Sequence, residues 1–493
     1  MTQFFGALVD MNDKTNSRVG RIALAEITLA VFFGAWSVPL HAMTLNMAVP
    51  FSSKPASPQD ARLVFWSPQE ESLIFSKENE IVIRCQTGLR AVGLEWTLSR
   101  NAFNTSFASG VGEPLPENAF VIRIPTRNLK PGFFDLRVKL DSGDETRIPG
   151  VCTFGFQIDK IPLSVNRPDD FKKFWDEGKS ELSQIPFDPK IGEMETFQGR
   201  EIDAYNMSHA ALPGDYDPEG HQTEEVESCK IDIAGPNGSR IHAWLAKPKG
   251  SGPFPAMLIL PGAGFNARPR PLEHARHGYL ALDIQIHGQP VDLKNYEKLP
   301  GYYDNFVFDP PEEYYYRKIY LNALQALEYL FSREDVDKNR VVLAGGSQGG
   351  RLAVVLAALE PRVAAAVATI TNGGNVPYLE WVIHCNAAKP PTDGMDQDIP
   401  PPVSDPVAGH CRSYYDPMNF APDVKCPILM AAGLIDPISP PASVFPVYDQ
   451  LGAKEKQMII LPGLGHDWSP EFDRRAWRWL HDRLKLTKAK NPS

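Results

Sequence analysis

Gly345-Gly346-Ser347-Gln348-Gly349-Gly350 sets one hydroxyl among four glycines, between the apolar run Arg340–Ala344 and the helical pattern Leu352–Leu356. A strand that turns sharply into a helix at a serine lifts the side-chain oxygen above the sheet edge. Neighbouring positions in such a turn tolerate almost no side chain, which accounts for the glycines. The backbone N–H of Gln348 then points from a helix start, where positive potential favours an oxyanion. A Walker phosphate loop would need Gly-Lys-Ser/Thr at its end, which is missing. The chemistry that fits is nucleophilic attack by Ser347 on a carbonyl, which requires a base and a carboxylate to orient that base. Asp436 follows the apolar run Ile428–Ala432, and His466 follows Gln457–Leu461 in the loop Pro462-Gly463-Leu464-Gly465. Asp416 and Asp467 are rivals for the acid, the first ahead of Pro417 in a Pro-rich stretch and the second beside His466. Acyl transfer also needs a second oxyanion donor. Pro261-Gly262-Ala263-Gly264-Phe265 supplies the backbone N–H of Ala263, with Gly264 the next choice, and Gly264 and Phe265 fall at the substrate pocket.

These residues need a frame. Ala256–Leu260, Tyr279–Ile284, Val341–Ala344, Ala364–Ile370, Ile428–Ala432 and Gln457–Leu461 are short apolar runs, and helical patterns such as Ile319–Phe331 separate several of them. Such alternation predicts a mostly parallel, doubly wound sheet with helices on both faces. Cys229–Ile233 and Ile241–Leu245 around Pro236-Asn237-Gly238 read as a hairpin. Arg167-Pro168-Asp169-Asp170 opens a helix with Phe171, Phe174 and Trp175 on one face. Residues 372–420 are too long for a connection and read as an inserted cap. The chain order Ser, Asp, His at strand ends is the α/β-hydrolase arrangement.

Upstream the rhythm changes. Residues 62–160 carry period-two runs such as Glu80–Arg84, Phe120–Ile124 and Phe133–Val138, with turns at Lys130-Pro131-Gly132 and Asp141–Asp144. They predict a small all-β sandwich of immunoglobulin-like type, which more often binds or spaces than catalyses. Residues 43–61 read as a Ser/Pro-rich linker. Arg18 and Arg21 precede an apolar run whose uncharged part, Ile27–Leu40, is short for a bilayer and is broken by Pro39. Residues 1–42 therefore read as a secretory signal cut after Ala42, with an uncleaved membrane anchor as the alternative. Leu40, three residues before the cut, is larger than usual there. The protein body is expected to be exported.

At 493 residues, two or three domains are expected. The net charge of −10, without long runs of either sign, argues against nucleic acid or an anionic membrane surface as partner. Export would permit disulfides. Cys85 with Cys152 and Cys385 with Cys411 are the candidate pairs, and Cys229 and Cys426 are expected to be buried thiols. No metal or cofactor is implied. His274 and His277 flank Ala275 and Arg276 with no further ligand nearby in sequence, which reads as a helix surface.

Five segments together resemble the acetyl xylan esterase and cephalosporin C deacetylase group, carbohydrate esterase family seven. They are Arg167–Phe171 with Phe174-Trp175, the run Leu282–Gln289, the Ser347 elbow, Tyr415–Pro422 with Cys426-Pro427 and Gly433–Asp436, and Gly465-His466. The resemblance covers about residues 165–485. It implies a hydrolase that removes acetyl groups from sugar hydroxyls, with Ser347 as nucleophile, His466 as base and Asp436 as orienter. Gln348 and the Gly262-Ala263 region would form its oxyanion hole. Two positions depart from that family: His287 stands where it has Arg, and Pro261-Gly262-Ala263 stands for its His-Gly-Tyr. The second change keeps the backbone donor and removes the tyrosine wall of the acetyl pocket. Members of the family often form closed homo-oligomers, an assembly that the additional sandwich would block or alter. The expected activity is deacetylation of acetylated xylan or oligosaccharides by a serine esterase. The alternatives are another hydrolase of the same fold (a peptidase or a dienelactone-type enzyme) and a carbohydrate-binding surface protein with a vestigial esterase domain.

Overall fold

The computed structural model describes residues 63–143, 147–161, 167–208, 218–297, 308–387 and 406–486. The expected signal and linker lie outside the described residues, as does the 388–405 part of the cap. Among the described residues, no helix is long and apolar enough to cross a membrane.

The larger sheet runs in the spatial order Lys190–Ile191, Glu225–Ala234, Arg240–Pro248, Leu280–Gln285, Phe254–Leu260, Val336–Gly346, Ala365–Thr369, Ile428–Gly433 and Lys456–Leu461. It is mixed. From Leu280–Gln285 onward all neighbours are parallel, while the preceding strands pair antiparallel. The hairpin is present, with Cys229 opposite Leu245, Ile233 opposite Ile241, and Asn237 in the left-handed region that its turn requires (φ 55°).

Alternation along the central strands fills two separate cores. Leu258, Val341, Leu343, Ala366 and Met430 face one side, where the helices Phe171–Ser183, Tyr315–Ser332, Gln348–Leu359 and Pro441–Gln450 pack. Met257, Val342, Val367, Leu429 and Ile459 face the other, against Phe472, Leu480 and Leu484 of the helix Pro470–Leu484. Strands buried on both faces read as continuous apolar runs, and helices must cover both sides. The fold is that of an α/β-hydrolase. The expected cap contains the helices Val376–Ala387, Pro406–Ser413 and Pro417–Phe420.

Before it, residues 64–156 form two small sheets. One has the order Val64–Trp66, Glu80–Gln86, Ala119–Pro125, Glu113–Leu115. The other runs Ile74–Phe75, Arg147–Phe156, Gly132–Asp141, Gly93–Arg100, Ser106–Val111. Ile81, Ile83 and Ile122 of the first share a core with Leu136, Val138 and Phe154 of the second.

All six cysteines are free, so both expected disulfides are absent. Cys85 and Cys152 are buried thiols, and loss of water pushes the Cys85 thiol up to about 12. Cys411 is sealed in the main core, whereas Cys385 packs in a separate cluster around Phe103 and Trp381.

Candidate active site

The strand Val336–Gly346 delivers Ser347 into a backbone conformation of φ 58° and ψ −120°. Few non-glycine residues sit there, and the surroundings hold it. Ser347 N donates to Thr369 O at 3.0 Å, while its carbonyl accepts from Arg351 N at 3.1 Å and Asn372 N at 3.2 Å. The glycines are required by contact. A Cβ on Gly349 would overlap the Leu260 carbonyl, and one on Gly350 would lie 2.7 Å from Thr369 O.

Asp436 and His466 reach the serine from loops after the last two strands. Those loops are stitched together by Leu434 N to Leu461 O (3.1 Å) and Ile435 N to Leu464 O (3.2 Å). Gly433 lies so close beneath the Leu464 and Gly465 carbonyls that a side chain there would overlap them. His466 Nε2 is 2.9 Å from Ser347 Oγ, and His466 Nδ1 is 2.8 Å from Asp436 Oδ2. The Asp436 carboxylate only accepts, so Nδ1 carries the proton and Nε2 offers its lone pair to the serine hydroxyl. Asp436 is 1% exposed. Its other oxygen accepts from Ile438 N and Ser439 N, both at 2.8 Å, which fixes the carboxylate plane. Such a chain can take the serine proton during attack on an ester and return it to the leaving alcohol.

The rivals for the acid are engaged elsewhere. Asp416 is buried and accepts from Val376 N and Met418 N, both at 2.8 Å, capping two helices. Asp467 accepts from the adjacent Trp468 N in an exposed turn.

Gln348 is fully buried, and its side-chain Nε2 reaches Gly262 O at 3.5 Å, which ties the elbow to the loop bearing Ala263. Ala263 and Gly264 are partly exposed, and Gly264 has φ 110°, which a side chain would resist. Phe265 packs its ring 4.9 Å from that of His287. His287 is 1% exposed, with Nδ1 3.0 Å from the Tyr315 hydroxyl. Burial, with a smaller contribution from the Lys318 charge, lowers the His287 imidazole to about 3, so it is neutral at ordinary pH.

One anchoring side chain escaped the sequence reading. Arg351, one turn after the serine, donates Nη2 to Tyr415 O at 2.9 Å and Nε to the Tyr320 hydroxyl, and it lies 4.2 Å from the Tyr316 ring centre. It locks the nucleophile helix to the Tyr415–Phe420 segment. The only signal in the sequence was a charged residue inside an otherwise apolar helix. The expectation of a surface setting for His274 and His277 is also corrected. His277 is fully buried and His274 partly so, because Trp477 of the last helix covers both rings at 4.2 and 5.2 Å.

A mixed sheet whose parallel strands end beneath a Ser-His-Asp hydrogen-bond chain defines the protein as a hydrolase of the α/β-hydrolase fold. The model of the acetyl xylan esterase (AXE1) family matches residues 203–483, more than half of the chain, and the protein belongs to that family. Acetyl esterase Axe7A of Xylanibacter ruminicola is 26% identical over 368 residues, covering 72% of this chain and 75% of that one. A probable 2-oxo-3-(5-oxofuran-2-ylidene)propanoate lactonase of Bradyrhizobium sp is 31% identical over 150 residues, 29% of this chain and 56% of that one. The solved acetyl xylan esterase from Paenibacillus sp. R4 aligns with a TM-score of 0.49 at 24% identity, covering 66% of this chain and 98% of that one.

Proposed function

We propose that the protein removes acetyl groups from sugar hydroxyls of acetylated xylan or its oligosaccharides. The observation that carries the proposal is the hydrogen-bond chain from Ser347 through His466 to the buried Asp436, in a member of the acetyl xylan esterase family. Ser347 Oγ attacks the ester carbonyl as its proton passes to His466 Nε2, and the oxyanion is held by the backbone N–H groups of Gln348 and Ala263. The imidazolium then gives its proton to the departing sugar oxygen. Water, deprotonated by the same nitrogen, releases acetate and regenerates the serine. Asp436 keeps the imidazole in the tautomer that accepts and stabilises its charged form. With Ala263 rather than tyrosine beside the oxyanion, the acyl pocket is wider and is bounded by Gly264 and Phe265. Turnover of propionyl and butyryl esters is therefore expected to approach that of acetyl.

The test is an acyl-chain series on model esters followed by acetylated xylan. Acetate release from the polysaccharide should fall at least about 10⁴-fold in Ser347→Ala. Persistent turnover in that variant would overturn the assignment, and turnover of lactones in place of sugar acetates would move the substrate class.

The two N-terminal sheets are proposed to be an immunoglobulin-like sandwich that supports the catalytic domain. Export is proposed from residues 1–42, and the amino terminus of the mature protein, read by mass spectrometry, tests it. A homo-oligomer is proposed from the family resemblance, and light scattering of the purified protein tests it.

A further inference from the structure

Ser347, Asp436 and His466 all lie beyond the carboxyl ends of their strands. A second concentration of chemistry-bearing side chains occupies the opposite edge of the sheet. His277 precedes the strand Leu280–Gln285, Glu273 sits one helical turn earlier on Leu272–Arg276, and His221 comes from the segment before Glu225–Ala234. The hydrolysis uses none of them.

Their geometry is that of a ligand set. His221 Nε2 lies 2.7 Å from Glu273 Oε1, and His277 Nε2 lies 3.6 Å from the same oxygen. One donor atom from each residue falls within 4.8 Å of the others. Ligands at about 2.0–2.2 Å from a tetrahedral ion stand roughly 3.3–3.6 Å apart, so small adjustments would bring all three onto one cation. The site is also braced. Asn206 Nδ2 donates to Glu273 Oε2 at 3.0 Å, leaving Oε1 turned to the two imidazoles. The His277 ring stacks flat on Trp477 at 4.2 Å, and Gly220 lies so near the ring that a Cβ there would sit 2.9 Å from it. Support of a ligating carboxylate by an outer hydrogen bond is a feature of metal sites.

Two facts argue against a plain hydrogen-bond network. His277 is fully buried, yet neither of its ring nitrogens has a hydrogen-bond partner. Both imidazoles also converge on a single carboxylate oxygen, which serves one of them at bonding distance and leaves the other short. A buried imidazole with both nitrogens unsatisfied is costly, and a cation on Nε2 would remove half of that cost.

We propose that His221 Nε2, Glu273 Oε1 and His277 Nε2 bind one zinc ion, with water completing the tetrahedron. Two imidazoles and one carboxylate form a borderline N/N/O set that suits zinc better than calcium or magnesium, which prefer oxygen shells. The ion would pin the segment around His221 to the helix bearing Glu273, under the cover of Trp477. Its place at the amino-terminal edge of the sheet makes it a structural site, separate from ester hydrolysis.

The experiment uses the full chain, with any affinity tag removed and metal stripped by chelator. Zinc is added back, excess is removed by desalting, and metal content is measured by plasma mass spectrometry alongside thermal unfolding. About one zinc per chain and a rise of several degrees in Tm are expected. His221→Gln and His277→Gln should each retain less than a tenth of that zinc and lose the rise, while Ser347→Ala keeps both. Wild-type protein that holds no zinc, or His221→Gln protein that holds as much as wild type, would overturn the proposal. The wild-type measurement stands even where a His277 variant does not fold.

Discussion

A proton leaving the Ser347 hydroxyl finds His466 Nε2 at 2.9 Å, and the charge formed on that ring faces the Asp436 carboxylate at 2.8 Å. Asp436→Asn keeps an oxygen for Ile438 N and Ser439 N, so the loop should hold its shape. It replaces the acceptor that selects the productive imidazole tautomer, and kcat is expected to fall about 10⁴-fold with the unfolding midpoint nearly unchanged. A large loss of stability with it would reassign Asp436 to a purely structural role. His287 gives a pH-dependent prediction. It faces Tyr315 and the Lys318 charge, and burial lowers its folded value from 6.5 to about 3. Between those values the unfolded chain binds the proton and the folded chain does not, so stability rises with pH through this window and is lost on acidification. The contribution is about 2 kcal/mol at roughly pH 5 and vanishes by about pH 7. On going from about pH 7 to about pH 5, the urea midpoint of wild type should fall relative to that of His287→Gln. A gap that stays constant with pH would show that His287 takes a proton in the folded state.

At the scale of elements, the elbow is a packing problem before it is a catalytic one. The helix Gln348–Leu359 meets the loop after Phe254–Leu260 so closely that Gly349 lies under the Leu260 carbonyl, with Pro261 O also near. Gly349→Ala would push one backbone segment off another, since neither is a side chain that can rotate away. A destabilisation of about 3 kcal/mol is expected, with kcat reduced because Ser347 and the Ala263 loop move apart. Ester turnover and chemical denaturation of the same preparation check both. Wild-type kcat in this variant would show that the close approach serves packing alone. This much was legible in the sequence, because the glycines flank the serine and the strand and helix patterns abut it. The contact they accommodate was not legible, since Leu260 is 89 positions from Gly349.

The whole molecule adds a docking of the N-terminal sheets onto the catalytic domain. Phe103 is 1% exposed, with its ring 4.9 Å from Trp381 and 6.1 Å from Tyr378 of the cap helix. Around it, Tyr378 donates its hydroxyl to Asn101 O at 2.7 Å. Asn386 Nδ2 donates to Ala102 O at 2.9 Å, and Asn386 Oδ1 accepts from Asn104 N at 2.9 Å. Phe133 meets Phe445 at 4.8 Å on the helix that follows the Asp436 loop. Phe103→Ala is expected to cost about 3–5 kcal/mol, against less than about 1 kcal/mol for the half-exposed Phe107→Ala. Denaturation midpoints decide this, and equal effects of the two changes would mean that the sheets merely lie beside the catalytic domain.

Local order was within reach of the sequence alone. Period-two and helical patterns located the strands and helices, and glycine spacing marked the turn at Ser347. The order of Ser347, Asp436 and His466 at strand ends named the triad, since each of these signals depends on residues within a few positions of one another. Tertiary structure decided what depends on residues far apart. It buried Arg351 beneath Tyr415, left Cys85 and Cys152 as thiols, and seated Phe103 against Trp381. His221 reached Glu273 and His277 only because two segments far apart in the chain meet at one edge of the sheet. Side-chain chemistry is written in the chain, but its partners are set by how the sheet stacks the segments, and no local pattern encodes that distance.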